Sequence, residues 1–571
     1  MSKADAKVEE LVSMIERGEL RLPEMQRRFV WTAPRVRDLL DSLYRGYPSG
    51  AILVWESAEA IPQQEFAIAQ QTNPFQTSRL LLDGQQRLTS LSAVLRGVPV
   101  VVRGRRRPIE ILFNLEHPDQ LSVVTEVSED GGDDDSADDV DSEGDEADSS
   151  EDELLRRFER MTFVVSTSKL EQLPHWVKVT DVFKSNSDAP FLQRAGVTNL
   201  DDPRFAKYTA RLACLRGIRS YTYRMDILDR NLSYDEVTEI FVRVNSLGAK
   251  LRGSDLALAQ ITAKWRDSLK TFLAFQEQCA EVGFDLDLGI HLKNMVAFAT
   301  DQSRFLTIGN VRLDALQSAW EDSRKGLEFA LNFLKSNAEV DSPTLLSSPF
   351  ILVTLARYGH RHSYSFSPSE SQQLRHWFLL ANAKGRYSRG SSETLLDQDL
   401  ATLKQGGEVS ELLDRLRQQV GRLDITPEEF MGRSQRSALF KTMFLAFRNA
   451  GAKDWVSNLT IALDHSGSQH SLQFHHFFPK AFLSGHYQVP EINDIANLCF
   501  IGGKTNRSIL DKSPEDYFPP LVSSRGADIF RAQCIPTDDL SLFKLENYKQ
   551  FLARRRELMS QKLNAFLGTG P

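Results

Sequence analysis

Two short stretches carry residue types and spacings suited to chemistry. The first is Ser471-Leu472-Gln473-Phe474-His475-His476-Phe477-Phe478-Pro479-Lys480, in a segment that holds five of the eleven histidines between 465 and 486. Asn497 follows His476 by 21 residues, and Asn506 follows Asn497 by 9, with Lys504 and Arg507 on either side of it. An imidazole of ordinary pKa, about 6.5, takes up a proton at neutral pH provided that it is not itself a metal ligand. Neighbouring strand residues point to opposite sides, so His475 and His476 cannot share one role without a bend. A lone His-His pair is also a common accident of packing, and Asp464-His465 offers a rival pair. Gly503-Lys504-Thr505 invites a phosphate-loop reading, but that motif needs Gly at 498, where the chain has Leu.

The second stretch is Leu82-Asp83-Gly84-Gln85-Gln86-Arg87, between a strand pattern and a helix pattern. Glycine there lets a ligand approach the backbone, and amides at a helix N-terminus attract anions. Arg87, one turn into the helix, has the fork geometry for a phosphate. Asp83 suits a metal, a ribose or a helix cap. A strand–turn–helix built on Asp-Gly is equally an ordinary connection.

The elements around these stretches define three regions. Thr32 is a natural N-cap for a helix with Val36, Leu39, Leu40 and Leu43 on one face, ended by Gly46. Ala51–Trp55 and Leu80–Leu82 read as buried strands, and a helix pattern follows through Leu88, Leu91 and Leu95 to Gly97. Ile109–Leu115 and Met161–Val165 are further strands. We expect an α/β domain over 1–255, a helical connector over 256–424 and a last domain over 425–571: a multidomain α+β chain.

Charge is unevenly placed. The formal net charge is −8, yet 15 of the 25 residues from Glu129 to Glu153 are Asp or Glu. Without that tract, 69 bases face 62 acids, a balance of about +7 that suits a DNA partner. The tract lacks apolar surface to offset chain entropy, so it reads as a disordered insert. Asp139, Asp141, Glu143 and Gly144 resemble the start of a calcium loop, but its twelfth position is Ser150 rather than Glu. No run of about 18 apolar residues spans a bilayer, and the charged N-terminus lacks a signal segment, so the expected location is cytoplasmic, with no membrane partner. The four cysteines form no C-x-x-C pair.

The His475/His476, Asn497 and Asn506 series, with strand-like flanks, resembles the HNH nuclease motif and its ββα-metal fold. That family cleaves phosphodiesters, for which a cation polarises the phosphoryl oxygen and a base activates water. The resemblance implies that His475 and Asn506 hold Mg2+ or Mn2+, that His476 is the base, and that Asn497 orients it by a hydrogen bond. It makes Lys504 and Arg507 phosphate contacts. The first ligand is His where many relatives have Asp.

A second resemblance covers the N-terminal region. Pro23–Trp31, Tyr47-Pro48-Ser49-Gly50, Asp83–Arg87 and Phe241–Gly248 form an ordered series similar to the N-terminal domain of GmrSD modification-dependent (type IV) restriction endonucleases. That domain is related to the ParB/sulfiredoxin-like nucleotide-binding fold and is paired with a C-terminal HNH domain, a layout shared by a phosphorothioate-sensing nuclease. The family implies an antiviral sensor and effector: a nucleoside triphosphate, GTP or ATP, at Asp83, Gly84, Gln85, Gln86 and Arg87, and cleavage of modified double-stranded DNA by the HNH domain. A homo-oligomer is compatible with it. Gln26, Arg27 and Arg28 are candidate DNA contacts, although Gln26 and Arg28 suit bonds within the fold equally well. Lys384 and Arg386, beside Tyr387, suit either a DNA-contacting loop or a solvated one. Arg103–Arg107 and Arg554–Arg556 offer nonspecific affinity. The acidic insert is expected to compete with DNA for a basic surface. The rival expectation is a nucleotide-controlled DNA-binding or scaffold protein whose nuclease site is degenerate.

Overall fold

A computed structural model of the chain describes residues 1–26, 31–57, 61, 63–64, 66, 79–97, 109–118, 158–247, 252–465, 467 and 469–569. Arg27, Arg28, Gly248, Arg103–Arg107 and the acidic tract lie outside those residues. The chain divides into two compact units, the first ending at Thr271 and the second beginning at Phe272.

The first unit is built on a mixed six-stranded sheet. Its strands are β1 (Ser2–Lys7), β2 (Leu20–Pro23), β3 (Ile52–Glu56), β4 (Gln63–Gln64), β5 (Arg79–Asp83) and, after a smaller sheet, β9 (Thr222–Leu228). Their order is β1-β9-β3-β5-β2-β4. β3 runs parallel to β9 and antiparallel to β5, while β5 runs parallel to β2. The unbroken apolar run of β3 follows from cover on both faces. Ile52 and Val54 join the cluster beneath helices α1 (Val8–Glu16), α2 (Ala33–Tyr44) and α3 (Gln85–Arg96), whose Leu11, Leu40 and Leu88 are buried there. Leu53 and Trp55 face the other way, against Val237, Phe241 and Ala259 from helices α4 (Tyr234–Leu247) and α5 (Gly253–Lys264). The first unit therefore runs past 255, because α5 belongs to its core.

The smaller sheet has the order β7-β6-β8, from β6 (Ile111–Asn114), β7 (Phe163–Val165) and β8 (Trp176–Lys178). β6 and β7 pair antiparallel from Ile111↔Val165 to Phe113↔Phe163. In the sequence the acidic tract thus falls between two paired strands.

Among its described residues, the second unit is helical except for one hairpin and an isolated bridge between Lys453 and Thr460. Side chains tie the expected connector to the last 150 or so residues: the Lys384 ammonium meets Glu429 at 2.9 Å, Arg448 meets Asp341 at 2.8 Å, and the Lys441 ammonium donates to the Leu346 carbonyl at 2.6 Å. Both expected regions therefore lie in one compact unit.

Candidate active site

The hairpin joins β10 (Leu472–His476) to β11 (Leu498–Gly502), antiparallel from Leu472↔Gly502 to His476↔Leu498, and helix α6 (Gly503–Ile509) starts where β11 ends. A two-stranded hairpin is marginal alone, with an outer edge of unpaired amides and carbonyls. Here side chains cover that edge. Gln533 behaves as a strand residue: its amide nitrogen donates to the Phe500 carbonyl at 2.8 Å and its oxygen accepts the Phe500 amide at 2.8 Å. The buried Arg555 guanidinium donates to the carbonyls of Ala496 and Leu498, each at 2.7 Å.

The junction of β11 and α6 is held by a carboxylate from elsewhere in the chain. Asp454 accepts the Gly502 amide at 2.6 Å, the Thr505 hydroxyl at 2.8 Å and the Ser457 amide at 2.7 Å. Burial works against its charge, but the hydrogen bonds from Ser457 and Gly502 prevail and hold its carboxyl below the usual range. Neither Asp454 nor Gln533 stands out in sequence, because the strand groups they hold, at Gly502 and Phe500, are 48 and 33 residues away.

This frame brings together His475 and Asn506. The imidazole Nδ1 lies 2.8 Å from the Asn506 Oδ1. A carboxamide oxygen only accepts, so Nδ1 carries the proton. The other nitrogen, Nε2, is buried without a hydrogen-bond partner, beside the rings of Trp455 and Tyr517. Burial, partly opposed by the bond to Asn506, pushes the His475 pKa down to about 4. His476 points to the opposite face and donates from Nε2 to the Asn493 Oδ1 at 3.1 Å. Burial and then the charge of Lys480 push its pKa down to about 4, against the bond to Asn493. Both rings are neutral at pH 7.

Asn497 does not reach the imidazole. It is fully buried, and its carboxamide accepts the Phe478 amide at 2.9 Å and donates to the carbonyls of Phe478 and Ile492, both at 3.0 Å. In place of the expected bond with Asn497, His476 donates to Asn493, a residue that its sequence neighbourhood does not single out. Lys504 and Arg507 are exposed on α6, one turn apart. Asp464-His465 lies outside any strand.

Among the described residues, no three His, Cys, Asp or Glu side chains gather as a metal cluster. The His475–Asn506 pair offers two ligand atoms instead. Adjacent ligands on an octahedral ion of this class, each at about 2.1 Å, stand about 3 Å apart, close to the separation seen. The pair fits a cation that keeps most of its coordination in water and phosphate oxygen, with the His475 ring proton moved to Nε2.

The turn after β5 is arranged differently. Gly84 caps α3 in the left-handed region, with φ 100°. The Arg87 guanidinium donates to the Ser49 carbonyl at 2.5 Å, the Ala51 carbonyl at 2.8 Å and Asp83 at 2.9 Å, and sits over the Tyr223 ring. Two of the motifs are thereby one structural unit, with Arg87 joining Tyr47–Gly50 to Asp83–Arg87. The expected phosphate fork is spent on backbone carbonyls. Gly84 and Gln85 are buried, and Gln86 accepts the Trp31 amide at 3.2 Å.

Three other expectations change for a common reason, burial. Gln26 is buried and donates to the Leu81 carbonyl at 2.6 Å. Lys384 is buried against Glu429, and Arg386 is buried in a two-pronged pair with Asp399 at 2.8 and 3.0 Å. These are struts rather than DNA contacts. In the 554–556 run, Arg555 covers β11, Arg556 meets the buried Asp494 at 2.5 Å, and Arg554 pairs with Glu557 at 3.0 Å.

Comparison with known proteins bears on both units. A curated relative, an uncharacterized protein of Methanocaldococcus jannaschii, is 23% identical over 560 residues, which is 90% of this chain and 86% of the relative. No helix among the described residues is long and apolar enough to cross a membrane. Residues 8–262, most of the first unit, match the family described as GmrSD restriction endonuclease, N-terminal domain.

Proposed function

We propose that this chain is a metal-dependent DNA endonuclease of restriction type, its hydrolytic site lying on β10, β11 and α6. The single observation that carries the reading is the placement of His475 against Asn506 with the neutral His476 on the opposite face of the same strand. The similarity of residues 8–262 to a restriction endonuclease domain supports the substrate class. The ion that His475 and Asn506 would hold, Mg2+ or Mn2+, supplies polarisation of the phosphoryl oxygen and charge for the leaving oxygen. His476 takes one proton from the attacking water. The water oxygen bonds to phosphorus as one P–O ester bond breaks, and the departing oxygen takes up a proton. Lys504 and Arg507 hold backbone phosphates.

The first unit we assign to sensing and control, with a nucleoside triphosphate, ATP or GTP, at the Asp83–Arg87 turn. In this reading Arg87 shapes the turn, and the phosphates meet the backbone at the start of α3. The DNA recognised carries a modification, a phosphorothioate or a glucosylated base among the candidates.

The test uses plasmids matched except for these modifications, incubated with Mg2+ or Mn2+ and with or without ATP or GTP. Nicking that needs the metal and responds to nucleotide and modification is the expected result. Retention of DNA without cleavage in every metal would favour the DNA-binding or scaffold reading.

A further inference from the structure

The pair formed by His476 and Asn493 extends the proposed function and rests on it. We infer that Asn493 is the positioning residue of this site: it holds the His476 ring as the Nε2–H tautomer and so makes Nδ1 the proton-accepting atom. The Asn493 Oδ1 lies 3.1 Å from Nε2 and can only accept, so Nε2 carries the hydrogen and the lone pair falls on Nδ1. When Nδ1 takes the proton of the attacking water, the ring becomes a cation whose Nε2–H still points at the same oxygen. No rearrangement is needed during the reaction.

The loop that carries Asn493 is braced for that role. Asn493 ends the one-turn helix Val489–Ile492, its own amide donating to the Val489 carbonyl at 3.0 Å. The Tyr548 hydroxyl donates to the Glu491 carbonyl at 2.7 Å, just before Asn493. Asp494, just after it, is buried and held by Arg556 at 2.5 Å. Asn497 completes the brace, since one carboxamide grips Phe478, two residues past His476, and Ile492, the residue before Asn493. Asn497 thus fixes the two backbones, and Asn493 makes the contact with the ring.

The inference gives neighbouring histidines opposite tautomers, Nδ1–H at His475 and Nε2–H at His476. Nitrogen NMR of the full chain carrying ring-labelled histidine distinguishes the two, with His476→Gln identifying the His476 signals. The wild-type metal-free protein should show His476 as Nε2–H. In Asn493→Leu that signature should give way to a mixture, and Asn493→Asp, which keeps the acceptor, should restore it. In plasmid nicking, Asn493→Leu should lower kcat about a hundredfold with KM little changed, the loss expected for a misdirected catalytic group, and Asn493→Asp should recover most of it. If Asn493→Leu fails to fold by circular dichroism, Asn493→Ser is measured in its place. A wild-type tautomer in folded Asn493→Leu, or in Asn493→Ser where that stands in for it, overturns the inference. The NMR result stands whether or not the wild type cuts DNA, so a failure of the endonuclease reading is seen separately.

Discussion

The turn after β5 and the turn after β11 are built from the same parts and use them in opposite ways. Each passes from a buried strand through a glycine into a helix. After β5 the turn's own side chain makes the structural bonds: Arg87 spends its donors on Ser49, Ala51 and Asp83. After β11 the structural bonds are made by residues from elsewhere, Asp454, Gln533 and Arg555. Imported support leaves His475, His476 and Asn506 available for chemistry. A strand–glycine–helix turn thus keeps its own polar side chains off structural duty where side chains from elsewhere hold its backbone.

That contrast can be broken by removing the support. Asp454→Ala strands the Gly502 amide and the Thr505 hydroxyl, at about 1–3 kcal/mol for each buried group. A loss of about 3–5 kcal/mol in denaturant unfolding of the second unit is expected, and a loss below 1 kcal/mol would mean that the junction holds itself. Arg87→Ala should cost the first unit about 2–4 kcal/mol, since two carbonyls and Asp83 lose their donor. Arg87→Lys should recover less than half, because an ammonium cannot reproduce the fork. Gly50→Ala acts on the same strut. Gly50 has φ +91°, and an added Cβ would stand 2.5 Å from the Arg87 guanidinium. About 1–3 kcal/mol is the expected cost of the strained backbone.

A separate effect is one of pH. His475 and His476 each titrate near 4 in the fold, below an ordinary imidazole near 6.5. The unfolded chain therefore binds more protons between those values. Stability of the metal-free protein is fully present above about pH 6.5 and falls as pH drops toward 4. His475→Gln with His476→Gln should flatten that slope, and an unchanged slope would place the acid sensitivity in other groups.

What was legible in the sequence follows the same division. Ala51–Trp55 and Leu80–Leu82 read as buried strands because cover on both faces leaves an unbroken apolar run, and they form β3 and β5. The His475/His476 and Asn506 spacing pointed to the hairpin and helix that the structure forms. Side-chain partners were not legible. Lys384 and Arg386 look exposed in a Gly-rich segment, and only the distant Glu429 and Asp399 show them to be buried pairs. Asn493 carries no signal of its own, because its role depends on a loop braced by Tyr548 and Arg556. Asn497, at the expected spacing, turned out to serve the backbone rather than the ring.

The proposed function makes the hairpin and α6 a metal-dependent hydrolytic site. It is tested most directly by supercoiled plasmid with Mn2+ and wild type, His476→Ala or Asn506→Ala, alongside Mn2+ binding by paramagnetic resonance. Wild type should nick and lose activity with EDTA. His476→Ala should bind the ion and fail to nick, with a loss of at least about a hundredfold, and Asn506→Ala should lose both. Nicking by His476→Ala at the wild-type rate would contradict the account.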